Sequence, residues 1–246
     1  NGLYSYCAGV VGHIAFCNSS TVSVAHGVNN CNLRAKSGKN SLVGGIFGEI
    51  HSNDGINVIM DNITNNGNLD YSDVALRIHS SGIIGQFSNS RHNTLIITNT
   101  MNNGHFIFNK NITVNTGSFI GYCRSQTFME MSFENCSNHG ILQTSSSTSN
   151  VGGFIGQLYQ IEDTTISFLR VTNNGLINGT KSSGGFIGTM EEFSRVSMNM
   201  TCASNNGNIH TNFSDDHSAG FIGMISLVSS TNVSLTNSAN RGNVSS

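Results

Sequence analysis

The stretch NNGLINGTKSSGGFIG (residues 173–188) carries two phrases, Asn-Asn-Gly and Gly-Gly-Phe-Ile-Gly, and both recur along the chain. GGFIG also stands at 152–156, and AGFIG at 219–223. Taking the last glycine of each such anchor gives Gly12, Gly48, Gly85, Gly121, Gly156, Gly188 and Gly223, with steps of 36, 37, 36, 35, 32 and 35. The second phrase recurs as TNNGNL (64–69), MNNGHF (101–106), SNHGIL (137–142), SNNGNI (204–209) and ANRGNV (239–244). In the first unit Cys31 replaces its glycine, in NNCNL. From each anchor glycine to the following Asn-Asn-Gly glycine (or Cys31) the distance is 19 in all seven units, whereas the return to the next anchor varies. Each unit is a fixed block plus an adjustable loop, the signature of a repeat architecture.

Inside the fixed block the pattern has period two. Ten residues past the anchor stand Val22, Val58, Leu95, Met131, Ile166, Met198 and Val233; twelve past it stand Val24, Met60, Ile97, Phe133, Phe168, Met200 and Leu235. The position between is mostly polar, so one face of a strand is buried. Two residues past each anchor is apolar again (Ile14, Ile50, Phe87, Cys123, Leu158, Met190, Ile225). So is the position two past each corner glycine or Cys31 (Leu33, Leu69, Phe106, Leu142, Ile177, Ile209, Val244). The expectation is an all-β chain, residues 1–246 forming a single parallel β-solenoid of about seven ~35-residue turns with three short strands each. At a spacing of about 4.8 Å, seven turns make a rod of roughly 34 Å. The alternative is a seven-bladed β-propeller, whose blades usually need more residues than the 32 available between Gly156 and Gly188.

An asparagine two residues before each corner glycine never changes: Asn29, Asn65, Asn102, Asn138, Asn173, Asn205 and Asn240. Stacked identical amides hydrogen-bond up a stack as a ladder. The glycine that follows is expected to take a positive φ at the corner, which would make Cys31 costly there.

The unit 173–188 resembles the GLUG motif, approximately N-x-G-x-V, a short polar loop, then V-G-G-L-V-G. Phe-Ile stands here for Leu-Val, and the loops are longer. The resemblance covers the whole chain. It implies an extracellular β-solenoid of the kind found in large secreted or surface-attached proteins such as adhesins, and it carries no catalytic residues.

Composition narrows the function classes. The 246 residues have a net charge of −2 and only 10% are charged, so no basic footprint for nucleic acid exists. No apolar run is long enough to span a membrane. The chain starts at NGLYSY without an initiating Met, which reads as a mature product or a piece of a longer protein or filament. Nine Asn-x-Ser/Thr sequons occur, at Asn18, Asn62, Asn111, Asn135, Asn178, Asn199, Asn212, Asn232 and Asn243. None falls on a repeated apolar position, so several are expected to carry N-glycans in a eukaryotic secretory pathway. Six cysteines in such a chain suggest disulfides, with Cys17–Cys31 and Cys123–Cys136 each able to tie the start of a turn to its end. Cys7 and Cys202 are then left free or linking molecules.

Sites of chemistry are sparse. The acidic pairs Glu162–Asp163, Glu191–Glu192 and Asp215–Asp216 occupy unlike positions of different units, so stacking does not align them. DDH (215–217) cannot converge on one metal ion, and SGKN (37–40) lacks the residues of a phosphate loop. No catalytic, metal or cofactor site is expected. One surface feature is: in GFIG the residue after the Phe should point outward, giving a stripe of Val11, Phe47, Ile84, Ile120, Ile155, Ile187 and Ile222. Such a stripe marks an interface or a covered layer. The reading is a structural or interaction protein of the cell surface or matrix, a glycosylated solenoid that self-associates, head-to-tail or laterally, or meets other surface proteins or glycans. The alternatives are a polysaccharide-degrading β-helix enzyme, needing a groove with convergent carboxylates and basic residues, and a carbohydrate-binding module, needing an exposed aromatic platform.

Overall fold

The computed structural model describes residues 4–35, 38–71, 75–108, 112–146, 148–211 and 216–245. They form a parallel β-solenoid without helix: five sheets of seven strands each, every pairing joining a strand to its equivalent one unit away. Parallel pairing between consecutive units excludes the propeller, whose blades pair strands within a unit. Each turn has five strands rather than three. In the fifth turn these are Ser149–Gly152 (sheet 1), Ile155–Glu162 (sheet 2), Thr165–Leu169 (sheet 3), Thr172–Asn173 (sheet 4) and Ile177–Gly179 (sheet 5). The two missed elements are the strand inside the adjustable loop and the two-residue strand at the asparagine.

The corners are built from left-handed residues in three columns. Twenty non-glycine residues and Gly55 have φ between 47° and 70°. All 21 lie four, seven or fourteen residues past an anchor glycine, as in Gln160, Asp163 and Arg170. Pairing in sheet 2 steps over the first column: Ser88 pairs with Arg124 and Ser90 with Gln126, while Asn89 and Ser125 are skipped. A left-handed residue there turns the strand, and the same turn repeated in every unit keeps the register.

The glycine after Asn-Asn is not one of these residues, so its expected positive φ is corrected. It is glycine because the turns stack too closely for a side chain. A Cβ on Gly104 would overlap the carbonyl oxygen of Gly67, and one on Gly175 would lie 2.5 Å from Asn138 Nδ2. At Gly67 the crowding carbonyl is that of Cys31 itself, and among the described residues no preceding turn brings such a carbonyl to Cys31. The glycines of GGFIG answer to the same crowding. A Cβ on Gly153 would lie 2.8 Å from Asn173 Cγ, and one on Gly156 2.6 Å from the backbone N of Thr116.

Two cores run along the axis. The larger lies between sheets 2 and 3 and holds both apolar residues of the anchors from the second turn to the seventh, while in the first turn Val11 packs against it and Val10 is exposed. The expected outward stripe is therefore corrected. Phe47, Ile84, Ile120, Ile155 and Ile187 have no exposure, and Val11 and Ile222 in the end turns pack partly against the same core. Alternation fails because the chain bends at the two residues before each of them, so Phe154 and Ile155 both point inward. The smaller core joins sheets 1 and 5, through residues such as Val151 and Ile177. Between the cores runs the asparagine ladder.

The expected disulfides Cys17–Cys31 and Cys123–Cys136 are also corrected: all four cysteines are free thiols, as are Cys7 and Cys202, for which no pairing within the chain is expected. Cys17 packs against the main core while Cys31 is exposed at a corner. Cys123 and Cys136 are both buried, and the Cys136 thiol donates to the carbonyl of Ile97 at 3.3 Å. Burial pushes Cys136 up to about 12 and Cys123 higher still, which holds both as unreactive thiols.

Candidate functional site

The ladder is continuous. Nδ2 of Asn29, Asn65, Asn102, Asn138, Asn173 and Asn205 donates to Oδ1 of the asparagine in the next turn, at 2.6 to 3.1 Å. The last acceptor is Asn240. The same Nδ2 also donates to the corner carbonyl two residues on, as from Asn102 to Gly104 at 3.2 Å. Both amide hydrogens are thereby used in a nearly water-free column, Asn102 through Asn205 having no exposure. This column is a structural device, and its side chains are unavailable to a ligand.

The surface differs on the other side. The outer faces of sheets 1 and 2 meet in a concave seam. Sheet 1 contributes the residue six before each anchor (Leu42, His79, Asn115, Asn150), and sheet 2 the residues one and three past it (Gln86, Tyr122, Gln157; Ser88, Arg124, Tyr159). At the second and third turns the seam is closed around Glu49, which is buried. Glu49 accepts from Gln86 Nε2 at 2.7 Å and Ser88 Oγ at 3.1 Å, with His13 and His51 at 3.4 and 3.6 Å. Ser88 also meets His51 Nδ1 at 2.9 Å, but it is fully buried and cannot reach a substrate as a nucleophile.

From the third turn to the sixth the seam opens into a groove of about 420 Å³. Its floor is a fixed polar network. Asn115 Nδ2 donates to His79 Nδ1 at 3.2 Å and to Gln157 Oε1 at 2.9 Å; Asn150 donates to Asn115 Oδ1 at 3.0 Å and accepts from Thr189 Oγ1 at 2.8 Å. Gln157 Nε2 reaches Glu191 at 3.3 Å, and Tyr159 donates its hydroxyl to Glu192 at 3.0 Å. His79 stacks on Tyr122 with ring centroids 4.4 Å apart. Arg77, Arg124 and Lys181 complete the lining. The field is felt by its neighbours: burial, then Arg77 and Arg124, depress His79 to about 3, and burial raises Tyr122 to about 12.

The other expected features are dispersed. Glu162 and Asp163 are tied to Arg195, whose Nε donates to Asp163 at 2.6 Å. Glu191 and Glu192 accept from neutral groups of the preceding turn. Asp215 lies outside the described residues, as do Ser37 of the SGKN stretch and the sequon residues Asn111 and Asn212. Asn18, Asn62, Asn135, Asn199, Asn232 and Asn243 are exposed, and Asn178 is half-buried with its sequon Thr180 fully buried. No cluster of three metal-ligating side chains occurs among the described residues. Among them too, no helix is long and apolar enough to cross a membrane. No family model, curated protein or solved structure matches the chain.

Sequence reasoning missed the groove. The signal was present in the polar column on either side of the apolar residue two past each anchor. What it lacked was that sheet 1 exists and folds its outer face against that column.

Proposed function

We propose that the chain is a rigid structural and interaction element of the cell surface or extracellular matrix, a glycosylated solenoid stacked or continued end to end in a fibre or adhesin stalk. The observation that carries this is the open core at the end turns. Leu235 and Ile225 are 47% and 46% exposed, while their equivalents Met200 and Met190 one turn away have no exposure. A further turn placed on that end would cover them and pair the free strand edges. Cys31 sets a condition at the opposite end: a turn stacked there in the same register would drive a corner carbonyl into its Cβ. The exposed sequons support the secretory setting, and the GLUG resemblance points the same way. The scattered carboxylates and the buried Ser88 favour a binding or structural role over hydrolysis or elimination.

The test is the material secreted from eukaryotic cells, examined by negative-stain imaging, sedimentation and mass before and after endoglycosidase. Rods in multiples of roughly 34 Å, a glycan mass loss, and stronger association of Cys31→Gly are expected. Monodisperse particles of one rod length with unchanged mass would exclude the reading.

A further inference from the structure

We propose that the groove between sheets 1 and 2, over the third to sixth turns, binds an anionic saccharide chain, with Arg77, Arg124 and Lys181 taking its carboxylate or sulfate groups. Charge is the first argument. The chain has 11 Lys and Arg in all and a net charge of −2, yet three of those cations line this one groove against a single carboxylate, Glu191. None of the three forms an ion pair with a protein carboxylate among the described residues. Cations gathered without partners in a concave site focus a positive potential on whatever enters.

The second argument is independent of charge. The buried Nε–H of Arg124 has no hydrogen-bond acceptor among the described residues. Native structures rarely leave such a donor unmet, and an arginine fork suits a carboxylate or sulfate oxygen pair. The third is the chemistry of the floor. No aliphatic side chain lines the groove. Asn115, Asn150 and Gln157 are held in place by one another, and amides both donate and accept, as sugar hydroxyls require. Tyr159, half-buried and fixed through its hydroxyl to Glu192, adds an aromatic face. A peptide would find no apolar pocket here. Nucleic acid would meet only three cations, a small footprint for a phosphate backbone.

Geometry fits a chain rather than a single sugar. Four turns at about 4.8 Å repeat the lining along the axis, and one turn is close to the length of a pyranose residue. The saccharide would lie along the rod with its anionic groups over the third to sixth turns and hydroxyls facing the amides. The inference does not rest on end-to-end assembly: sedimentation of the sugar-free protein reports that separately.

Titration calorimetry of the whole chain tests it, with a galacturonate pentasaccharide, a sulfated pentasaccharide, an uncharged cello-pentasaccharide and a dT oligonucleotide as probes. At least one anionic saccharide should bind, with the better of the two naming the anionic group. Arg124→Gln and Arg77→Gln should each weaken it roughly tenfold or more. Arg241→Gln, at a distant corner, should leave it unchanged. Both groove variants should keep the circular dichroism of the parent. The proposal is overturned if neither anionic saccharide binds, if the uncharged sugar or the oligonucleotide binds as tightly, or if the groove variants bind as the parent does.

Discussion

At the scale of single residues, the buried asparagine does what no other side chain does in its place. It links consecutive turns and its own corner at once, so its loss strands several buried partners. Asn102→Ala leaves Asn65 Nδ2 without its acceptor and Asn138 Oδ1 without its donor. The expected cost is roughly 2–5 kcal/mol, read as a lower urea midpoint. Asn103→Ala removes an exposed bond to Asn66 and should change stability by less than about 0.5 kcal/mol. His79 makes a second prediction. Buried beneath Arg77 and Arg124, it has a folded pKa of about 3, below the ordinary 6.5. The unfolded chain then binds the extra proton first, so this contribution is complete above pH 6.5 and is lost as pH falls toward 3. Asp61 and Asp163, held below 3.8, act only at the acid end of that range. Between pH 6.5 and 4.5 the thermal midpoint should fall, and His79→Asn should flatten the fall. An unchanged slope would show that His79 is not buried neutral.

At the scale of elements, stability comes from columns rather than from strands, since no five-residue strand buries its face alone. The anchor phenylalanines stack up the axis: Phe119 on Phe154 at 4.6 Å, Phe154 on Phe186 at 5.0 Å, Phe186 on Phe221 at 5.5 Å. Phe133 and Phe168 of sheet 3 meet Phe154 edge-on at 5.9 and 5.8 Å. This interlocks sheets 2 and 3 across the core. Phe154→Ala opens a cavity at the crossing point and should cost about 3–5 kcal/mol in denaturant unfolding. Phe128→Ala, at a corner and 54% exposed, should cost far less. Equal effects would mean that the aromatic column is not what joins the sheets.

At the scale of the whole molecule, each turn touches chiefly its neighbours, so the rod behaves as a one-dimensional array. Removing Gln157–Gly188 deletes one 32-residue turn and joins Gly156 to Thr189 in matching columns. The shortened chain should fold with the same β-sheet circular dichroism and a modestly lower unfolding midpoint. An unfolded or aggregated product would show that the turns are not interchangeable. The same deletion removes Tyr159 and Lys181 from the groove, so binding should suffer while the fold survives.

The repeat, its register and the fold class were legible in the sequence by itself. The constant 19-residue spacing and the invariant asparagine column favour stacked equivalent positions, and the 32 residues between Gly156 and Gly188 are short for a propeller blade. The inward residues of sheets 2, 3 and 5 followed from their period of two. Alternation failed at the bends: Ile155 follows Phe154 inward because the backbone turns there, and left-handed corners such as Gln160 and Asp163 carry no common side chain to announce them, although the third column holds Asn62, Asn99, Asn135 and Asn237. The corner glycines were visible but not their reason, since the crowding at Gly104 comes from a carbonyl 37 residues away. The groove was decided by tertiary structure alone. A sequence shows which residues share a face, but concavity arises only when two sheets close against each other around the waist of the solenoid.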